Sequence, residues 1–394
     1  MLKNKNKGIT LVALVITIII LLILAGISIS ALTNTGIFQK AKDAKQKSAD
    51  AELDQNAKLD SYEEEISNYL PQDVKQAIKK GKPLSTDKNT EIVDEKGNKI
   101  VIPAGFKVTG EATTVDKGII IEDATVDSNG NATTTNGSQF VWVPVGKITK
   151  ADGTETEIKL NRYTFASDGK PTEKNEEVID TYYQELATSD KGNTVAKNIT
   201  NFKNSVKANG GYYIGRYEAR TTTARYHAED ALTQITEKGT DQVYNYVTQK
   251  QAAERAQGMY TSNNFTSDLM NSYAWDTAIT FIQNCTDKTN YAKQKSLNKS
   301  LSQTGTTNDN PCNIFDMASN VLEWTTETSS NSNDPRVLRG GSCNSSNNYT
   351  SVRGIDLTSN SNYHMGFRPL LYLQNWTLKP LLNHINKKLL SVKI

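Results

Sequence analysis

The sharpest contrast of hydrophobic and polar positions lies at the start of the chain. Lys3, Lys5 and Lys7 fall within the first eight residues, and residues 9–31 then run without a charge. Wound as a helix, that run is about 34 Å long, enough to cross a hydrocarbon layer of about 30 Å. Ile and Val are mediocre helix formers in water, but in lipid every backbone polar group must be satisfied within the segment, which favours helix. The lysines predict a cytoplasmic N-terminus, with everything beyond residue 32 outside the cell. A secretory signal would have a shorter apolar core followed by a small-residue cleavage site. Here Gly8 stands before the apolar run instead.

Turn formers at 33–36 (TNTG) interrupt the helix. Residues 37–70 space Ile37, Phe38, Ala41, Ala44, Ala51, Leu59 and Ile66 among lysines and glutamates, a thin stripe that predicts a charged helical stalk, stopped by Pro71. Residues 71–138 hold short alternating runs at 99–102 and 118–122 and a turn at 129–131, and read as a small β/loop linker region. VIPAGF at 101–106 and FVWVPVG at 140–146 lead into a mixed domain, with an elaborated loop region and one helix between 146 and 209. GGYYIGRYEAR at 210–220 alternates aromatics and ends in Arg220, a candidate for burial. AWDTAITFIQ at 274–283 is helical by spacing, with Trp275, Ile279 and Ile282 on one face. The expected class is α+β: a spanning helix and a stalk, then a mixed domain with irregular loops.

Composition narrows the function. Lys+Arg 45 against Asp+Glu 43 leaves +2, no electrostatic footprint for nucleic acid. Three cysteines, Cys285, Cys312 and Cys343, contain no CxxC spacing, and His227, His364 and His384 lie far apart, so neither a zinc knuckle nor a His-rich metal site is expected.

A short basic leader, Gly8, and then ITLVALVITIIILLILAGISI resemble the type IV prepilin leader. The resemblance implies a leader at 1–8, cleavage by a prepilin peptidase between Gly8 and Ile9, and a pilin helix at 9–32. Family members that polymerise usually carry a glutamate five residues into the mature chain; Ala13 stands there, leaving a costly unpaired amine in hydrocarbon. That departure counts against filament assembly. An ordinary single-pass anchor that keeps its leader is the alternative.

NIFDMASNVLEWT (313–325), RVLRGGS (336–342) and MGFRPLLY (365–372) follow in an order that resembles the formylglycine-generating, sulfatase-modifying family, whose domain has a C-type-lectin-like fold. The resemblance covers residues 139–373. Beyond it, the tail 374–394 places Leu381, Leu382, Ile385, Leu389 and Leu390 at helical spacing, consistent with a short amphipathic helix. Within the domain, Gly340 and Gly341 allow backbone geometry closed to other residues, and an arginine can fork onto a buried carboxylate. Glu323, Arg339 and Arg368 are the expected network, with Trp324 and Phe367 filling the core around it.

The family's enzymes use a cysteine pair shortly after the RGGS-type block to bind copper and activate oxygen. Here Cys343 stands where an aromatic is usual, and NSSNNYTSVRG at 344–354 has no cysteine. A lone thiol cannot give Cu(I) two soft ligands. Cys312 is the one other thiol that could bridge to Cys343, structurally. No catalytic residue is therefore expected, and a formylglycine-generating oxidase is the remote alternative. The resemblance also implies calcium, through Asp316, Ser319, Val321 and Glu323, with Ser319 in place of the usual glycine; the competing reading pairs Glu323 with an arginine. No other cofactor is expected.

Two clusters, Asn344, Ser345, Ser346, Asn347, Asn348 and Tyr349, then Asn360, Asn362, Tyr363 and His364, fall where this fold exposes its ligand face. Tyr with Asn and Ser gives amphipathic contact with adaptable hydrogen bonding. The composition also resembles variable regions of diversity-generating retroelement targets; an ordinary polar loop is the competing reading. The expected function is extracellular recognition of a glycan or protein by an inactive head on a single-pass membrane anchor. A structural minor pilin or pseudopilin of a pilus or type II-like secretion system, partnered by other pilins, is the alternative.

Overall fold

The computed structural model describes Ile20, Leu21, Lys47, Gln76, Ala77, Ser85 and residues 88–374, except 127–131, 135–136, 174–181, 187, 190–191, 231–238, 240–241, 297 and 346. Gly8 and Ile9, nearly all of the apolar run and stalk, and the tail from 375 lie outside the described residues. Among the described residues no helix is long and apolar enough to cross a membrane. The chain divides into two units, Met1–Val74 and Lys75–Ile394. All that follows concerns the second.

Its main strands, in chain order, are β1 (Phe106–Thr109), β2 (Ile120–Asp123), β3 (Gln139–Pro144), β4 (Tyr183–Glu185), β5 (Gly211–Gly215), β6 (Phe265–Leu269), β7 (Leu322–Ser329), β8 (Arg336–Arg339), β9 (Arg353–Asp356), β10 (Met365–Phe367) and β11 (Pro369–Leu373). The helices are α1 (Ile199–Asn209), α2 (Gln249–Gln257) and α3 (Ser272–Cys285). Six strands form an antiparallel sheet in the order β6-β11-β5-β3-β2-β1. Every residue of β5, β6 and β11 is buried, which is why β5 and β11 read as continuous apolar or aromatic runs instead of alternating ones, whereas β6 buries Thr266, Ser267 and Asp268 as well. Gly211 is required in β5, because a Cβ there would run into the Trp142 ring of β3.

The span 71–138, expected as a small β/loop linker region, gives two strands to this sheet. β1 and β2 are two of its six strands, with Val108, Ile120 and Ile121 buried and the Phe106 ring edge-on to Phe140 at 6.0 Å. Their four-residue runs carry the strand signal but nothing that names a partner.

Helix starts follow side-chain capping. Asn198 caps α1 by accepting from Asn201 N, Thr248 and Gln251 form a capping box on α2, and Asn271 accepts from Ala274 N on α3. α1 lays Phe202 on the sheet, edge-on to Tyr212 at 5.4 Å and Tyr372 at 5.6 Å. α3 is buried nearly all round, beyond the single face marked by Trp275, Ile279 and Ile282. Its Trp275 Nε1 donates to the Thr350 carbonyl at 2.9 Å and so fixes the segment ahead of β9.

The second sheet runs β4-β7-β8-β9, with β10 added parallel to β7. Gly340 adopts φ +93°, and a Cβ at Gly341 would overlap the Ala318 carbonyl, so the RGGS turn needs both glycines to press against residues 317–319. Arg220 is only partly buried, contrary to expectation, while Glu218, two residues earlier, is fully buried.

Candidate functional site

β7, whose register against β8 shifts between Trp324 and Thr328, brings two carboxylates, Glu323 and Glu327, into the interior. Arg368 forks onto Glu323 at 2.7 and 3.1 Å and also donates to the Gly215 and Phe315 carbonyls. Arg339 stands opposite Glu323 in the strand register, yet its guanidinium reaches Asp276 at 2.5 Å and Glu327 at 3.2 Å. Arg353 binds the same two acids at 2.5 and 2.8 Å, and Arg162 reaches Glu327 at 2.6 Å. The single expected network is therefore two, and Arg339 belongs to the one without Glu323. Burial pushes the Glu327 carboxyl up, but Arg353, Arg162 and Arg339 together outweigh it and hold it at about 2. Trp324 and Phe367 are fully buried beside these pairs.

The loop ahead of β7 holds Asp316 and Asn320 in left-handed conformations, φ 66° and 62°. Asp316 accepts from Ser319 Oγ at 3.0 Å, from Thr307 Oγ1 and from Gly305 N at 3.3 Å. Val321 N and Asn320 Nδ2 donate to Glu218 at 3.0 and 2.5 Å. Burial, reinforced by the charges of Asp316 and Glu323, pushes the Glu218 carboxyl well up. Both oxygens of Glu323 are occupied by Arg368. Calcium asks for six to eight convergent oxygens. Asp316, Ser319, Val321 and Glu323 do not fit it, because their acids are already committed to side chains and backbone N–H groups. Among the described residues no group of three or more His, Cys, Asp or Glu could hold a metal ion.

The thiols stand apart from any site. Cys285, Cys312 and Cys343 are buried and free, so Cys312 and Cys343, which could have paired, are not bridged. Cys312 instead points its Sγ at the Asp116 carbonyl, 3.4 Å away. Burial raises the Cys285 thiol to about 12 and the Cys343 thiol to about 11, which keeps both protonated and unreactive.

The two polar clusters partly converge. Tyr363, 37% exposed, donates its hydroxyl to Asn344 Oδ1 at 2.7 Å and joins the start of one cluster to the end of the other. Its ring lies edge-on to His364 at 5.0 Å. Asn347 and Asn344 are exposed, Ser345 and Asn348 half-buried in the intervening turn, and Ser346 lies outside the described residues. Asn362 accepts from Tyr246 N at 3.1 Å, which anchors the second cluster on the body of the domain. Asn360 does not join the junction; its amide donates to Asp356 at 2.8 Å. Tyr349 is also turned aside, with Lys293 Nζ 4.5 Å above its ring and a bridge to Lys295.

That second direction leads to a feature sequence reasoning missed. A cavity of about 470 Å³ opens between residues 288–309 and Ser319, with Asp309 at its floor. Asp309 accepts from Tyr291 Oη at 2.9 Å, Gln294 Nε2 at 3.0 Å and Ala318 N at 2.7 Å, and burial lifts its carboxyl to about 6. Residues 286–309 are a run of Lys, Asn, Ser, Thr and Gln without periodicity, so nothing in the sequence marks them as walls.

Comparison with known proteins fits this geometry to a family. No curated protein matches the chain. Among solved structures it is similar to Treponema denticola variable protein 1, at 12% identity over 62% of this chain and 98% of that one, with a TM-score of 0.33. It is also similar to the Major Tropism Determinant M1 variant, at 13% identity over 75% and 97% of the two chains, with a TM-score of 0.29. Residues 129–371 match the sulfatase-modifying factor enzyme 1-like domain, and the few helices and many strands fit a C-type-lectin-like arrangement. The chain belongs to the sulfatase-modifying factor enzyme 1-like family.

Proposed function

We propose that this protein is a cell-surface recognition protein whose family domain binds an extracellular glycan or protein by surface contact and performs no redox chemistry. The junction of Tyr363 with Asn344 carries the reading: it is an exposed aromatic and amide pair, held to the body of the domain by Asn245 Nδ2 on the Tyr363 carbonyl at 2.8 Å and by Tyr246 N on the Asn362 carbonyl. Preorganised Tyr and Asn contacts lose little conformational freedom on binding. The absence of a cysteine between 344 and 364, together with three buried thiols, leaves copper no pair of sulfur ligands on that face. Residues 9–31 supply the membrane anchor in this reading, after cleavage behind Gly8 by a prepilin peptidase, and hold the domain outside the cell. Ala13 speaks for display on the membrane over incorporation into a filament of other pilins.

The test is binding of the full chain to arrays of glycans and bacterial surface proteins. Asn344→Ala with Tyr363→Ala is expected to remove at least nine-tenths of any array signal, roughly the loss of a binding hot spot, with the unfolding midpoint unchanged. Signals that survive the double substitution exclude this surface. A near-copy of the coding region for residues 340–370 beside a reverse transcriptase gene would add diversification of the loop to the reading.

A further inference from the structure

The cavity floored by Asp309 is separate from the Tyr363–Asn344 junction, and its chemistry points to a different kind of ligand. Every residue that lines it carries a polar side chain (hydroxyls, amides, two lysines and one acid), with carbon stems making up much of the wall and no aromatic ring among them. Its 470 Å³ lies within the range of about 300–1,000 Å³ usual for small-molecule sites. The floor is built and rigid. Asp309 is 7% exposed and held by three donors from two segments, and Ser319 is 3% exposed with its hydroxyl on Asp316. Asn298 on the wall is fixed as well, accepting from Ser296 Oγ at 2.6 Å and Asn320 N at 3.2 Å.

The charge of this lining is unbalanced. Lys295 is exposed at the rim, Lys288 donates to Gln294 Oε1 at 3.5 Å and its charge bears on Asp309, so two cations face one acid that protein donors already satisfy. Positive charge at the rim thus remains available to a ligand, over a floor and walls that offer hydroxyl and amide groups. The walls also carry both ends of the 343–350 segment: Cys343 N donates to the Asn320 carbonyl at 2.8 Å, and Thr350 N to the Gln294 carbonyl at 3.1 Å.

We propose that this cavity binds an acidic carbohydrate, a hydroxylated ring bearing one carboxylate, with Lys288 and Lys295 meeting the carboxylate and Asn298, Asn308 and Ser319 meeting the hydroxyls. A nucleobase would ask for an aromatic stacking surface, and an apolar peptide side chain for a wall of apolar residues; the lining has neither. A bare phosphate is best held by an arginine fork, and no arginine lines the cavity.

The test is isothermal titration of the full chain in detergent micelles with trigalacturonic acid and, in parallel, with the neutral trisaccharide maltotriose. Trigalacturonic acid is expected to bind at least about tenfold more tightly than maltotriose, the scale of one charge-assisted contact. Lys288→Ala with Lys295→Ala is expected to remove that difference, and Asn308→Trp, which fills the mouth from an exposed position, to abolish binding with the unfolding midpoint retained. Equal affinities for the two sugars, no binding of either, or unchanged binding in Asn308→Trp overturns the proposal. Tyr363→Ala separates this site from the recognition surface. It should leave trigalacturonic acid binding intact, and loss of that binding in Tyr363→Ala overturns the cavity site by moving the sugar to the loop.

Discussion

Glu327 is 1% exposed with three arginines on it, and removing its charge would leave Arg162 without a carboxylate and Arg339 and Arg353 to share Asp276 alone. Breaking a buried pair leaves an uncompensated charge and costs about 3–5 kcal/mol. Glu327→Gln is therefore expected to lower the unfolding free energy by about that amount in a urea titration, more than Glu323→Gln, which strands Arg368 alone. Gly341→Ala is predicted to prevent soluble folding, because no side chain can yield where the new Cβ meets the Ala318 carbonyl. At this scale the sequence was legible in part. Arg368 with Glu323, and the glycines of RGGS, follow from residue type and local motif. The choice made by Arg339 does not, since Asp276 lies 63 positions away and only the folded sheet brings α3 under β8. Arg353 and Arg162 carried no signal that separated them from surface arginines.

Between elements, the balance of buried acids sets a pH dependence. Glu185 joins edge strand β4 to the start of α3 through Ser272 N; burial first, and then the charge of Glu327, lifts it from 4.5 to about 7. Burial similarly lifts Asp268 in β6 and Asp309 from 3.8 to about 6. A carboxyl with a raised folded value contributes stability that is complete below its unfolded value and is lost as pH rises through the folded one. Glu327 has the opposite sign, and its contribution is lost as pH falls from 4.5 toward 2. The melting temperature is thus expected to be higher at pH 5.5 than at pH 7.5 and to fall below pH 4 (buffer values set by these shifts). Glu185→Gln should flatten the upper limb in a calorimetric series; a midpoint that rises steadily to pH 8 would contradict the assignment. Among elements, α3 was readable from its 3.6-residue apolar spacing, and β3, β5 and β11 from unbroken apolar runs. The partners of β1 and β2 were not, because short antiparallel strands encode a face but no neighbour.

For the whole molecule, the anchor and the domain pose separate questions. Cleavage behind Gly8 predicts that membrane-extracted protein begins at Ile9 on N-terminal sequencing, and a start at Met1 would identify an uncleaved anchor. The domain keeps the frame of its family, with RGGS wedged under β7 and GFR delivering Arg368, while its thiols have retreated into the interior. Composition marked the two polar clusters but not the contact between them, which the fold makes between Asn344 and Tyr363. Asn360 was drawn elsewhere by Asp356, four residues before it, and Tyr349 by the distant lysines of 293–295, choices that composition alone does not carry. Oxygen uptake by the copper-treated full chain, supplied with a cysteine-bearing peptide, tests most directly whether contact has replaced chemistry. No uptake above the peptide and copper control is predicted, and turnover that stops on Cys343→Ser would contradict the account.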